Sequence, residues 1–193
     1  TKERIQQPKE QNIPFAQSVK ALIKNDQWRT LCLAAFFLLT GQVLRLTLAV
    51  YYVKYYLGRD DLITLFMTLG VAASMLGCAL AQPLAKRFCK IKAYISLQVI
   101  AAAICGFSYF ISKDQLVLAF TAFILWKFFL DMATPLLWAK MADTIDYGHE
   151  KTGVRITGLV YSGVIFFIKM GVAVGGAIAG WLLSFYSYQA DVV

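Results

Sequence analysis

Five long runs of apolar residues, separated by short polar segments, dominate the pattern along the chain. They extend over Thr30 to Val53, Leu62 to Gln82, Ala93 to Ile111, Gln115 to Ala139 and Thr157 to Leu183. Each is long enough, at the rise of an α-helix, to cross a hydrocarbon core of about 30 Å. Lipid leaves unpaired backbone groups unsatisfied, and these runs are too long for barrel strands, so the pattern predicts an all-α membrane protein with five transmembrane helices. Before them, residues 1–14 are polar and punctuated by Pro8 and Pro14, as a linker is. The next stretch, FAQSVKALIKNDQW, spaces Phe15, Val19, Leu22 and Ile23 for a short amphipathic helix, with Asn25 and Asp26 as caps where the chain turns into the first span. Such a helix lies on the membrane face; a dedicated lipid sensor is the alternative. The chain thus divides into a linker with its helix (1–29) and a transmembrane bundle (30–193).

Composition agrees with this reading. Hydrophobic residues make up 59% of the 193 positions and charged ones 16%, and mean hydropathy is +0.61. A water-soluble domain carries about 25% charge. The net charge of +8 could suggest nucleic acid, but its distribution argues for topology. Of 19 Lys and Arg residues, thirteen lie before the first span, between spans two and three, or around the linker between spans four and five. Only Lys54, Arg59 and Lys113 lie in the alternate linkers. By the positive-inside rule the start, residues 83–92 and residues 141–156 face the cytoplasm, and residues 54–61, 112–114 and the C-terminus face out. Lipid, not a polynucleotide, is the expected partner of the basic excess. The odd number of spans, the absence of an initial Met and the stop soon after span five predict a partial chain, lacking an opposing bundle and unable to transport alone.

Charge inside the spans carries the candidate chemistry. Gln42 and Arg45, three residues apart, share a face of span one; Arg45 either snorkels outward or lines a polar cavity. Span four places Lys127 and Asp131 four apart, as an internal structural pair or a gating element, and Pro135 predicts a bend that exposes polar backbone near residue 131. Lys169 sits centrally in span five, flanked by Gly171/Gly175 and Gly176/Gly180, pairs that admit close helix packing. It lines a transport cavity or neutralises a buried acid, for which Asp131 is available. Gly77, Ala81 and Ala85 form a small face on span two, and Gln98 reads as an interhelical hydrogen-bond donor before a substrate contact. The four cysteines and His149 lack metal-ligand spacing, and no nucleophile–base set appears, so enzyme chemistry is the poorest reading and no cofactor is expected. Asp143, Asp146, Glu150, Lys151 and Arg155 crowd a short linker, either a latch between helix ends or a solvated loop.

At this cluster a resemblance enters. ADTIDYGHEKTGVRITG (142–158), followed by the mid-helix lysine of FFIKMG (166–171), resembles the loop and eleventh helix of the glycoside-pentoside-hexuronide:cation symporters, the melibiose-carrier-like branch of the major facilitator superfamily. TKERIQQP and NDQWR are similar to that family's central linker, so the resemblance covers essentially the whole chain and makes the five spans helices seven to eleven of a C-terminal bundle. It implies a twelve-helix carrier of the bacterial inner membrane that takes up a sugar or glycoside with Na⁺ or H⁺ by alternating access. The lysine matching Lys169 is near the cation and sugar and is needed for transport; Asp143, Asp146 and Arg155 match the cytoplasmic gate. The principal cation site and most sugar contacts belong to the family's N-terminal half, which, with the final helix, is an implied partner. One departure weakens the case for melibiose-like specificity: Thr134 stands where the family's melibiose carrier offers a tryptophan to the sugar, with Trp138 one turn on as the candidate replacement. A major-facilitator exporter of amphipathic compounds and a non-transporting membrane scaffold are the competing readings.

Overall fold

The computed structural model describes residues 14–186 and 188. The polar linker over residues 1–13 lies outside them. Six α-helices follow: α1 (Phe15–Lys24), α2 (Asp26–Tyr51), α3 (Ile63–Arg87), α4 (Lys90–Phe107), α5 (Leu116–Thr152) and α6 (Thr157–Phe185). The last five are long and apolar enough to span a membrane, and each expected span falls on one of them. Asn25 separates α1 from α2, and its Oδ1 accepts the Trp28 backbone N–H at 3.0 Å, the N-cap that its residue type predicts.

Burial identifies the central helix. α3, α4 and α6 bury narrow stripes, such as Ala93, Leu97 and Ala101 on α4 or Gly171, Gly175 and Ala179 on α6. Around its middle α5 instead buries Phe123, Trp126, Lys127, Leu130, Asp131, Met132 and Ala133, consecutive enough to cover its circumference. Small residues bring its neighbours close: a Cβ added at Gly77 on α3 would stand 2.5 Å from the Phe128 carbonyl oxygen of α5. On the other side α6 approaches α2 in the same way, since Cβ atoms at Gly171 and Gly175 would stand 2.6 and 2.7 Å from the carbonyl oxygens of Phe36 and Thr40. Hence α2–α6 is one close pair and α3–α5, with α4 laid on α5, is a second group. The helix faces turned away carry exposed Val71, Met75, Leu76, Val99, Val117 and Phe166. A surface this apolar belongs in lipid.

One expectation needs correction. Residues 141–156, read from the sequence as a linker between spans four and five, instead continue α5 as helix through Thr152, and only residues 153–156 separate α5 from α6. Its Met141, Thr144, Ile145 and Gly148 recur at helical spacing and are buried, so packing extends the helix past the apolar run. Gly153 then ends it at φ 71° in the left-handed region, its N–H bonded to the His149 carbonyl at 2.8 Å. Pro135 lies inside α5 and the helix continues through it.

Candidate functional site

Lys127, Asp131, Thr134 and Trp138 recur at four- and three-residue intervals and therefore share one face of α5. Lys127 Nζ lies 2.6 Å from Asp131 Oδ2, with side-chain exposures of 11% and 8%. Lys-before-Asp is the weaker helical order, but burial leaves each charge no better partner. That oxygen makes no well-angled hydrogen bond and is held by the lysine's charge at short range. Gln42 of α2 donates from Nε2 to the other carboxylate oxygen at 3.3 Å. Asp131 thus ties the α2–α6 pair to the α3–α5 group.

Its backbone is engaged as well. Proline at 135 has no N–H to return to the Asp131 carbonyl, one helical turn earlier. Instead of opening to a cavity, as the sequence suggested, that carbonyl accepts the Cys78 thiol of α3 at 3.3 Å.

Arg45 and Gln42 share a face but differ in their partners. Arg45 Nη2 donates to Ser108 Oγ at 2.9 Å, and its guanidinium lies 4.5 Å from the centroid of the Trp126 ring. It does not snorkel: with Gln42, Gln98, Cys105, Trp126 and Leu130 it lines a cleft of about 210 Å³ between α2, α4 and α5. Gln98 does not make the interhelical bond expected of it; its Nε2 is buried with no hydrogen-bond partner. Thr134 is half-buried, and Trp138 is 46% exposed at the open end of the α5 face.

Lys169 stands apart from this cluster. Its side chain is exposed, and among the described residues it has no carboxylate within 4 Å, so Asp131 is not its partner. It shares a face of α6 with Gly176 and Gly180, where an added Cβ would meet nothing within 4 Å. The two glycine pairs of α6 thus differ: one is packed on α2, the other open. Among the described residues no group of three His, Cys, Asp or Glu side chains could hold a metal.

At the α1 end of the bundle the charged cluster resolves into pairs. Lys90 reaches Asp143 at 3.3 Å, Arg155 reaches Asp146 at 3.6 Å, and all four side chains are substantially exposed. Lys151 pairs with Asp26, whose Oδ1 also accepts the Tyr147 hydroxyl at 3.0 Å. Beside them Asn25, 2% exposed, donates from Nδ2 to the Thr144 carbonyl at 3.0 Å. Tyr147, Gly148 and Lys151 therefore dock the α1–α2 corner, a role that the residue pattern alone did not show. The available signal was the Asn25–Asp26 break between two helical patterns, facing a helix that becomes small at Gly148.

The family described as MFS/sugar transport protein matches residues 1–193. The chain belongs to the glycoside/cation symporter branch of the major facilitator superfamily. Across 99% of its length it is 32% identical to YagG of Escherichia coli K12, named as a candidate glycoside/cation symporter, covering 42% of that protein. It is 30% identical to the inner membrane symporter YicJ of the same organism, over 98% of this chain and 41% of YicJ. A candidate 2,3-dihydroxypropane-1-sulfonate exporter of Salmonella typhimurium LT2 is 33% identical over 92% of the chain and 38% of that protein. The chain spans about two-fifths of the length of these relatives. Within this symporter branch, its five membrane-length helices form a partial C-terminal bundle.

Proposed function

We propose that this chain forms most of the C-terminal bundle of a twelve-helix secondary carrier in the bacterial inner membrane, taking up a sugar or glycoside with Na⁺ or H⁺ by alternating access. No covalent chemistry is needed: substrate and ion binding shift a two-state equilibrium, and the ion gradient supplies the driving free energy. Supporting this is the placement of Lys169, a central ammonium on a face of α6 that meets no partner helix among the described residues and opens at Gly176 and Gly180. An N-terminal bundle across that face would make Lys169 a lining group of the central pathway, beside the cation and substrate sites of the other half.

Magnitudes divide the remaining charges by role. Exposed pairs such as Lys90–Asp143 and Arg155–Asp146 contribute about 0–1 kcal/mol each, so they can form and break within a transport cycle and suit a cytoplasmic gate. Removing one partner of a buried pair costs about 3–5 kcal/mol, so Lys127–Asp131 acts as fixed scaffolding that aims Gln42. Thr134 and Trp138, at the open end of the same face, are the substrate-facing positions; Arg45 and Gln42 line the neighbouring cleft.

Transport by the full-length carrier, measured over a sugar panel with Na⁺ and pH gradients varied separately, tests the reading. Lys169→Met should reach the membrane in normal amount and lose ion-driven accumulation while retaining equilibrium sugar binding; wild-type accumulation would remove Lys169 from coupling. The sulfonate exporter among the relatives favours a second reading, outward transport of a small organic anion, which would appear as gradient-driven efflux with no accumulation of any sugar.

A further inference from the structure

Between α1 and the end of α5 is an open cleft of about 590 Å³, lined among others by Gln17, Lys20, Lys24, Lys151, Thr152 and Val154. Among the described residues no acidic side chain lines it. Lys151 is already paired with Asp26. Lys20 and Lys24, one turn apart on α1, have no carboxylate within 4 Å among the described residues, so two cations converge on the cleft without an acid from any of these. The same helix leaves Phe15 75% and Ile23 56% exposed while Ala21 and Leu22 face the bundle. Exposed large apolar groups beside a lysine row are the pattern of a helix lying in the membrane interface, its apolar edge among acyl chains and its cations at headgroup depth. The charge distribution assigns this end of the bundle to the cytoplasmic leaflet, whose anionic lipids attract such lysines.

We propose that this cleft is a binding site for the headgroup of an anionic phospholipid. Lys20 and Lys24 take the phosphate oxygens, Gln17 and the Thr152 hydroxyl reach the polar remainder of the headgroup, and Phe15 and Ile23 insert beside the acyl chains. Because Lys151 and Thr152 belong to the last turn of α5, a bound headgroup cross-links α1 to the helix end that carries Asp143 and Asp146. The exposed Phe15 and Ile23 favour lipid over a soluble anion, because only a lipid covers them as well as meeting the lysines.

Nanodiscs of mixed phosphatidylcholine and phosphatidylglycerol, with the protein released and weighed by native mass spectrometry, test the site without reference to topology. The wild type should retain a phosphatidylglycerol in preference to phosphatidylcholine. Lys20→Gln/Lys24→Gln, with helix content checked by circular dichroism, should retain it about thirtyfold more weakly. Lys20→Arg/Lys24→Arg should retain it, and so should Lys86→Gln/Arg87→Gln, which removes the same charge at the end of α3. Unchanged retention in Lys20→Gln/Lys24→Gln, or an equal loss in Lys86→Gln/Arg87→Gln, would overturn the proposal. So would displacement of the lipid by dissolved glycerol phosphate, which would make this a site for soluble anions.

Discussion

Gly148 has no side chain where Asn25 needs the space: a Cβ there would stand 2.5 Å from Asn25 Nδ2, the atom that donates to the Thr144 carbonyl. Asn25 is a tied group as well as a buried one, since its Oδ1 caps α2 through the Trp28 N–H. The Tyr-Gly of the signature is thus half of a joint, with Tyr147 holding Asp26 and Gly148 admitting Asn25.

Gly148→Ala should therefore displace Asn25 and destabilise the protein by about 1–3 kcal/mol, the cost of buried polar groups left unpaired. In an Asn25→Ala background the same substitution should cost far less, because the obstructed side chain is gone. Thermal unfolding in detergent of the four proteins of this cycle is the check; additive losses would show that Gly148 acts elsewhere.

For the buried pair, Lys127→Met or Asp131→Leu alone should each lower stability by about 3–5 kcal/mol, because each leaves a buried charge without its partner. The double substitution should recover most of the loss. If it is as unstable as the sum of the singles, the two side chains do not compensate one another.

The glycines of α6 should separate cleanly. Gly175→Ala forces a Cβ to within 2.7 Å of the Thr40 carbonyl oxygen, so α2 and α6 must move apart and stability should fall by about 1–3 kcal/mol. Gly176→Ala meets nothing within 4 Å and should be neutral or stabilising by up to about 1 kcal/mol through helix propensity. Melting temperatures of the isolated chain decide between them; the same loss at both positions would contradict the packing of one face only.

Cys89, exposed between α3 and α4, has its thiol held below the ordinary range, chiefly by the backbone N–H groups of Lys92 and Ile91 at the start of α4, although its sulfur makes no hydrogen bond of full capping geometry. The thiolate is the reactive form, so maleimide labelling of Cys89 should reach half its maximal rate at a lower pH than that of an ordinary exposed thiol. In intact cells an impermeant maleimide should spare it until the membrane is opened if, as the charge distribution predicts, the 83–92 segment faces the cytoplasm. Prompt labelling from outside would reverse the topology.

Much of this protein was legible in the order of its residues. Lipid demands continuous apolar helices, so hydropathy alone marked the five spans, and the Asp143–Arg155 motif with Lys169 pointed to the family. Lys127 and Asp131 could be paired from spacing because a helix makes residues four apart neighbours. Only the tertiary structure decided the contacts that cross between helices. Whether Asp131 would serve Lys127 or Lys169, that Cys78 would take the carbonyl released by Pro135, and that α5 would run on to Thr152 against Asn25 all depend on which faces meet. The two glycine pairs of α6 read alike in one dimension, yet one is filled by the α2 backbone and the other lies open. In a membrane nearly every helix face is apolar, so hydropathy does not choose the partner; close approach at small residues and the pairing of buried polar atoms do.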